Sequence, residues 1–149
     1  MNAFVTAGAG FLLAVLWFDL MFDVQAIGRR EGDLPEPVLT SIAGYYARVT
    51  TAARPMNRLI AAVMLVTLGV IVAEIARGGR QPWAGWLSLG LALPPILLAA
   101  ARTVPNAVRL GTRSDPPARQ SRLARSILSD HLLCAGAIAA LLAVQLGFE

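Results

Sequence analysis

Two aspartates stand four residues apart in the run Trp17-Phe18-Asp19-Leu20-Met21-Phe22-Asp23, which is otherwise apolar. On a helix that spacing projects both carboxylates from one face, a turn apart. Far along the chain a second polar group, Asp130 and His131, interrupts another apolar run. Carboxylates and imidazoles give and take protons, so Asp19, Asp23 and His131 are the candidate acid–base residues. Arg54, Asn57, Arg58, Arg102, Asn106 and Asp130 are the candidate ligand-binding residues. Guanidinium, carboxamide and carboxylate groups of this kind hold a polar head by hydrogen bonds and charge. Asp19, Asp23, Asp130 and His131 also offer oxygen and nitrogen ligands, but no metal is expected. There is no HExxH, cysteine pair or second histidine, and nearby arginines oppose a cation.

The elements that must position these residues follow from hydropathy. The chain has 149 residues, 56% hydrophobic and 15% charged, with a mean hydropathy of +0.62; soluble domains carry about 25% charged residues. Four apolar stretches, residues 3–27, 56–76, 83–104 and 126–146, are each long enough to cross a hydrocarbon core. The predicted fold is an all-α integral membrane protein: a four-helix transmembrane bundle in one domain, with a short amphipathic cytoplasmic helix at residues 36–51 between helices one and two. That short helix begins near Pro35 and Pro37 and repeats Val38, Ile42, Tyr45, Tyr46 and Val49 at helical spacing. It reads either as interfacial, with both tyrosines at headgroup level, or as a helix packed on the end of the bundle. Pro94-Pro95 bends the third span, and a basic stretch at 107–125 leads into a helix that starts before the fourth span.

Asp19 is ten residues before Arg29, so at 1.5 Å per residue it lies about 15 Å beneath that arginine, near the middle of a bilayer. A charge there costs about 2.5–3.5 kcal/mol against lipid, which turns the Asp19 face toward the bundle interior. Arginines set the orientation. Arg29, Arg30, Arg48 and Arg54 separate spans one and two, six from Arg102 to Arg125 separate three and four, and only Arg77 and Arg80 separate two and three. Loops one and three are therefore expected in the cytoplasm, in a cytoplasmic (inner) membrane, with both termini on the other side. All 13 basic residues are arginine, a usage that fits a GC-rich bacterial genome.

The leading functional reading is a small multi-pass protein that binds a lipid-like or hydrophobic molecule at the Asp/Arg/His cluster on the cytoplasmic side. Whether it also modifies that molecule is not decided by the residues. The main alternative is a non-catalytic accessory or assembly subunit. In that reading the cluster is an ion-paired network, Asp23 with Arg54 or Arg58 and Asp130 with Arg102 or with the solvated arginines. A third is a dimeric proton- or ion-coupled transporter with Asp19 as the titrating group. Expected partners are membrane lipids, a second copy through the small residues of helix four, or a larger membrane complex. No nucleic acid is expected, because the arginines form no dense stripe. No cofactor is expected either, since no glycine-rich phosphate loop or dinucleotide fingerprint occurs.

Overall fold

The computed structural model describes residues 3–27, 32–78 and 81–147, with Arg54 described in its backbone alone. Its elements are α1 (Ala3–Asp23), α2 (Glu36–Tyr46), α3 (Arg54–Ala76), α4 (Pro82–Leu98), α5 (Val104–Thr112) and α6 (Pro117–Gly147). No strand occurs among the described residues. Ala3–Ala26, Pro55–Ala76, Pro82–Thr112 and Pro117–Gly147 are long and apolar enough to cross a membrane. Proline occupies the first turn of α2, α3, α4 and α6, where its missing N–H has no intrahelical partner to lose.

Helices α1, α3, α4 and α6 form a ring in which each touches two neighbours, α1 with α3 and α6, and α4 with α3 and α6. The diagonal pairs do not meet, so the ring has an interior. Helix α1 crosses α3 closely at Gly8. A Cβ placed there would run into Thr67 Oγ1, and glycine permits that approach. Val5, Ala9, Leu12, Ile71, Ala92, Ile138 and Leu141 fill that half of the ring. The other half, rich in arginine, is closed by α2 and α5, whose Leu39, Ile42, Tyr46 and Leu110 pack against Ala124 and Ile127 of α6. Gly111 lets α5 touch the backbone that follows α2, since a Cβ there would lie 2.8 Å from Ala47 N. Asp19, Asp23 and His131 occupy the gap between these two clusters.

Two helices widen beside that gap. Residues Ala47–Ala52 continue α2 as π-helix, and Ala99–Thr103 join α4 to α5 in the same form. Pro94 and Pro95 lack the N–H that a regular helix would offer to the carbonyls four residues earlier, and the π turn follows one turn later. Thr103 Oγ1 donates to Leu98 O at 3.4 Å within the second widened turn.

Of the two readings of the short helix, the packed one holds, since Leu39, Ile42, Ala43 and Tyr46 are buried against the bundle end. Two other expectations change. The third long helix runs to Thr112 rather than 104, whereas the fourth begins at Pro117, ahead of its apolar span as expected. The basic stretch at 107–125 is consequently two helix ends and a tight turn. There Arg113 adopts the left-handed conformation (φ 55°) and pairs with Glu36. Arg29, Arg30 and Arg80, which enter the topology argument, lie outside the described residues.

Candidate functional site

Asp23 is the most enclosed ionisable group, with no solvent exposure, and it has two donors. Tyr46 Oη donates to its Oδ1 at 2.6 Å, and His131 Nδ1 lies 2.6 Å from its Oδ2. A proton on Nδ1 makes that second bond; in the neutral imidazole that tautomer has Nε2 as a bare acceptor, whereas in the imidazolium both nitrogens donate. Three helices meet here: α1 brings Asp23, α2 brings Tyr46 and α6 brings His131. Tyr46 belongs to the buried face of α2, in register with Leu39, Ile42 and Ala43, and that register puts its hydroxyl beneath α1.

One turn earlier on α1, Asp19 accepts a hydrogen bond from Tyr45 Oη at 2.7 Å. Tyr45 is held by stacking on Phe22, with ring centroids 4.1 Å apart and planes inclined by 10°. Burial, and after it the neighbouring Asp19 charge, pushes the Tyr45 hydroxyl well above the ordinary tyrosine range. Burial and the Asp23 charge do the same to Tyr46. Both phenols are therefore neutral donors. Asp19 Oδ2 and His131 Nε2 are 3.8 Å apart, too far for a direct bond and near enough for one oxygen atom of a third molecule to reach both.

These groups form the polar end of a cavity of about 450 Å³. Phe11, Val15 and Phe18 of α1 and Met56, Ile60 and Met64 of α3 line its long apolar wall. Asn57 lines it as well and donates to Thr50 O at 3.2 Å, tying α3 to the widened turn after α2. Cavities of this size, apolar with a few convergent polar groups, are the usual form of a small-molecule site.

The expected residues divide. Asp19, Asp23, His131 and Asn57 come together. Asp130 and Arg102 also meet, but as a separate clamp: Arg102 grips Asp130 with Nε to Oδ2 at 3.1 Å and Nη2 to Oδ1 at 2.6 Å, and Thr103 Oγ1 adds a bond at 3.1 Å. Neither residue of that clamp lines the cavity. The expected pairing of Asp23 with Arg54 or Arg58 is replaced, because Tyr46 and His131 fill both Asp23 oxygens. Arg58 is exposed and forms no ion pair with a described residue, while the Arg54 side chain lies outside the described residues. Asn106 is half-buried on α5, makes no side-chain hydrogen bond to a described residue and lies away from the cavity. The tyrosine pair is the functional feature that the sequence reading missed. Its signal was present in the spacing Leu39, Ile42, Ala43, Tyr46, which marks a buried face. No group of three or more histidine, cysteine or carboxylate ligands that would hold a metal ion is gathered among the described residues.

Chemically, Asp23 fixes and polarises an imidazole whose free nitrogen faces an apolar cavity beside a second carboxylate. This is the arrangement of a general base held by an orienting acid. Fold and site together define an all-helical bundle of four long apolar helices enclosing a carboxylate–imidazole–phenol cluster at the head of an apolar cavity. No protein family, curated protein or solved structure matches the chain, so that class rests on its own geometry.

Proposed function

We propose that this chain is an integral protein of the cytoplasmic membrane that binds a hydrophobic small molecule in the intrabundle cavity, with the molecule's polar group at Asp19, Tyr45 and His131. The observation that carries the reading is the 3.8 Å gap between Asp19 Oδ2 and His131 Nε2 at the end of an apolar cavity. A purely structural network would close such a gap with a direct bond, as Arg102 and Asp130 do. Proton exchange between His131 Nε2 and the bound group is the chemistry this arrangement offers, with Asp23 stabilising the imidazolium that results.

Orientation follows the arginines. Arg48, Arg58, Arg102, Arg109, Arg113, Arg119, Arg122 and Arg125 gather at the bundle end that carries α2 and α5, which supports placing that end in the cytoplasm and both termini across the membrane. Native mass spectrometry of protein purified gently from its own membrane tests the binding reading. A small molecule retained by the wild type and lost from Asp19→Asn is the expected result; a bare protein in both would contradict it.

A second reading, an accessory subunit that self-associates or joins a larger complex, is favoured by one feature. Gly136, Ala139, Ala140 and Ala143 of α6 are exposed, and small residues allow close helix contact. In that reading the purified chain is held by other subunits and carries no small molecule.

A further inference from the structure

The chemistry of the occupant and its route are written in the cavity wall. Resting on the binding reading above, we propose that the ligand is an uncharged, membrane-dissolved molecule with one hydroxyl group, and that it slides in sideways between α1 and α3.

Charge selects the class. The ionisable groups that line the cavity among the described residues are Asp19, Tyr45, Tyr46, His131 and Cys134. No arginine is among them. Arg58 is exposed, and Arg102 is spent on Asp130. A phosphate or carboxylate head would thus meet Asp19 at close range with no arginine among the described lining residues to offset the repulsion, and burying an unpaired charge is costly. A neutral oxygen meets complementary partners instead. A hydroxyl has one proton to give, and two acceptors 3.8 Å apart, His131 Nε2 and Asp19 Oδ2, stand ready to receive it.

Packing selects the route. From the Gly8–Thr67 contact the antiparallel pair α1 and α3 runs toward the arginine-rich end. Along it Phe11 comes level with Met64, Val15 with Ile60, and Phe18 with Asn57. All six line the cavity, so the two helices close at Gly8 and part below it. The rim of that parting is exposed on the outer, apolar surface of the bundle: Ala14, Phe18 (60% exposed) and Met56 (48% exposed) line the cavity and face outward at once. On the opposite side, Tyr46, Ala107 and Leu110 belong to a closed apolar cluster. The opening therefore faces lipid tails.

The test uses the full chain in phosphatidylcholine nanodiscs with four probes of similar length: dodecanol, 4-octylphenol, dodecanoate at pH 8 and dodecyl phosphate. Binding is read as a rise in the unfolding midpoint and as a bound mass in native spectra. The expected result is binding of dodecanol or octylphenol but of neither anion. Ala14→Trp, a substitution on the exposed rim, is expected to weaken the neutral probe about tenfold. Anions that bind as tightly as dodecanol would overturn the neutral class while leaving a binding site intact. Unchanged affinity in Ala14→Trp would overturn the lateral route. Binding of no probe at all would overturn this inference and the binding reading together.

Discussion

Asp23 and His131 stand 108 residues apart in the chain and 2.6 Å apart in the fold. Everything specific about the site follows from that contact. It joins the first long helix to the last, calls for a proton on Nδ1 and leaves Nε2 as the nitrogen on the Asp19 side. Tyr46 completes the group by filling the other Asp23 oxygen, so both carboxylate oxygens have partners that are not arginine.

Removing the two phenols should have unequal effects. Tyr46→Phe leaves a fully buried Asp23 oxygen without its donor and is expected to cost about 1–3 kcal/mol. Tyr45 is half-buried, and Tyr45→Phe exposes Asp19 to replacement donors, so about 0.5–1.5 kcal/mol is expected. Unfolding by sodium dodecyl sulfate in mixed micelles compares the two. Equal losses would contradict the burial difference on which this ranking rests.

The chain contains only two tyrosines, which makes their ionisation directly visible. Burial and the adjacent carboxylates raise both hydroxyls above the ordinary value of 10.0. A raised pKa contributes stability that is complete below the unfolded value and is lost as pH climbs beyond it, because the unfolded phenol ionises first. Ultraviolet absorbance should therefore show no phenolate above pH 10 until alkaline unfolding, and then both at once. Gradual titration of either tyrosine in the folded protein would argue against the enclosed geometry.

Two glycines should differ in tolerance. Gly111→Ala forces a Cβ against the backbone nitrogen of Ala47, which cannot yield, and about 1–3 kcal/mol of destabilisation is expected. Gly8→Ala meets the Thr67 hydroxyl instead, a group that is buried without a hydrogen-bond partner. The double variant Gly8→Ala, Thr67→Ala should recover most of the loss. Thermal unfolding in detergent checks both, and failure of the double variant to recover would contradict the contact.

The Arg102–Asp130 clamp is separable from the cavity. Arg102→Ala strands a carboxylate that is 3% exposed with only Thr103 for company, and about 1–3 kcal/mol should be lost. Probe binding corrected for folded fraction should not change. A specific loss of affinity would place Arg102 in the site after all.

Much of this architecture was legible in the chain. Apolar runs of about 20 residues, long enough to cross a hydrocarbon core, announced the four long helices, and the cost of burying Asp19 and Asp23 announced an inward face. Asp130 with Arg102 was also readable, because arginine reaches far and carboxylates at depth need partners. The partner of Asp23 was not. Reasoning from charge favours arginine, whereas Asp23 is met by a phenol and an imidazole that arrive from α2 and α6. Tyr46 reads as an interfacial aromatic until the register of Leu39, Ile42 and Ala43 shows which side of α2 is covered. The π turns beside the site were equally hidden, since Pro94-Pro95 signals a bend but not how the following helix absorbs it.

His131 is the single histidine of the chain, so one nitrogen-15 spectrum of histidine-labelled protein in lipid tests the central claim without assignment. The account predicts a neutral imidazole protonated at Nδ1 with an unprotonated Nε2. It also predicts that Asp23→Asn, whose amide donates where the carboxylate accepted, moves the proton to Nε2 and abolishes binding of the neutral probe. A wild-type spectrum with the proton on Nε2, or one that Asp23→Asn leaves unchanged, would contradict the claim that Asp23 holds His131 as a base facing the cavity.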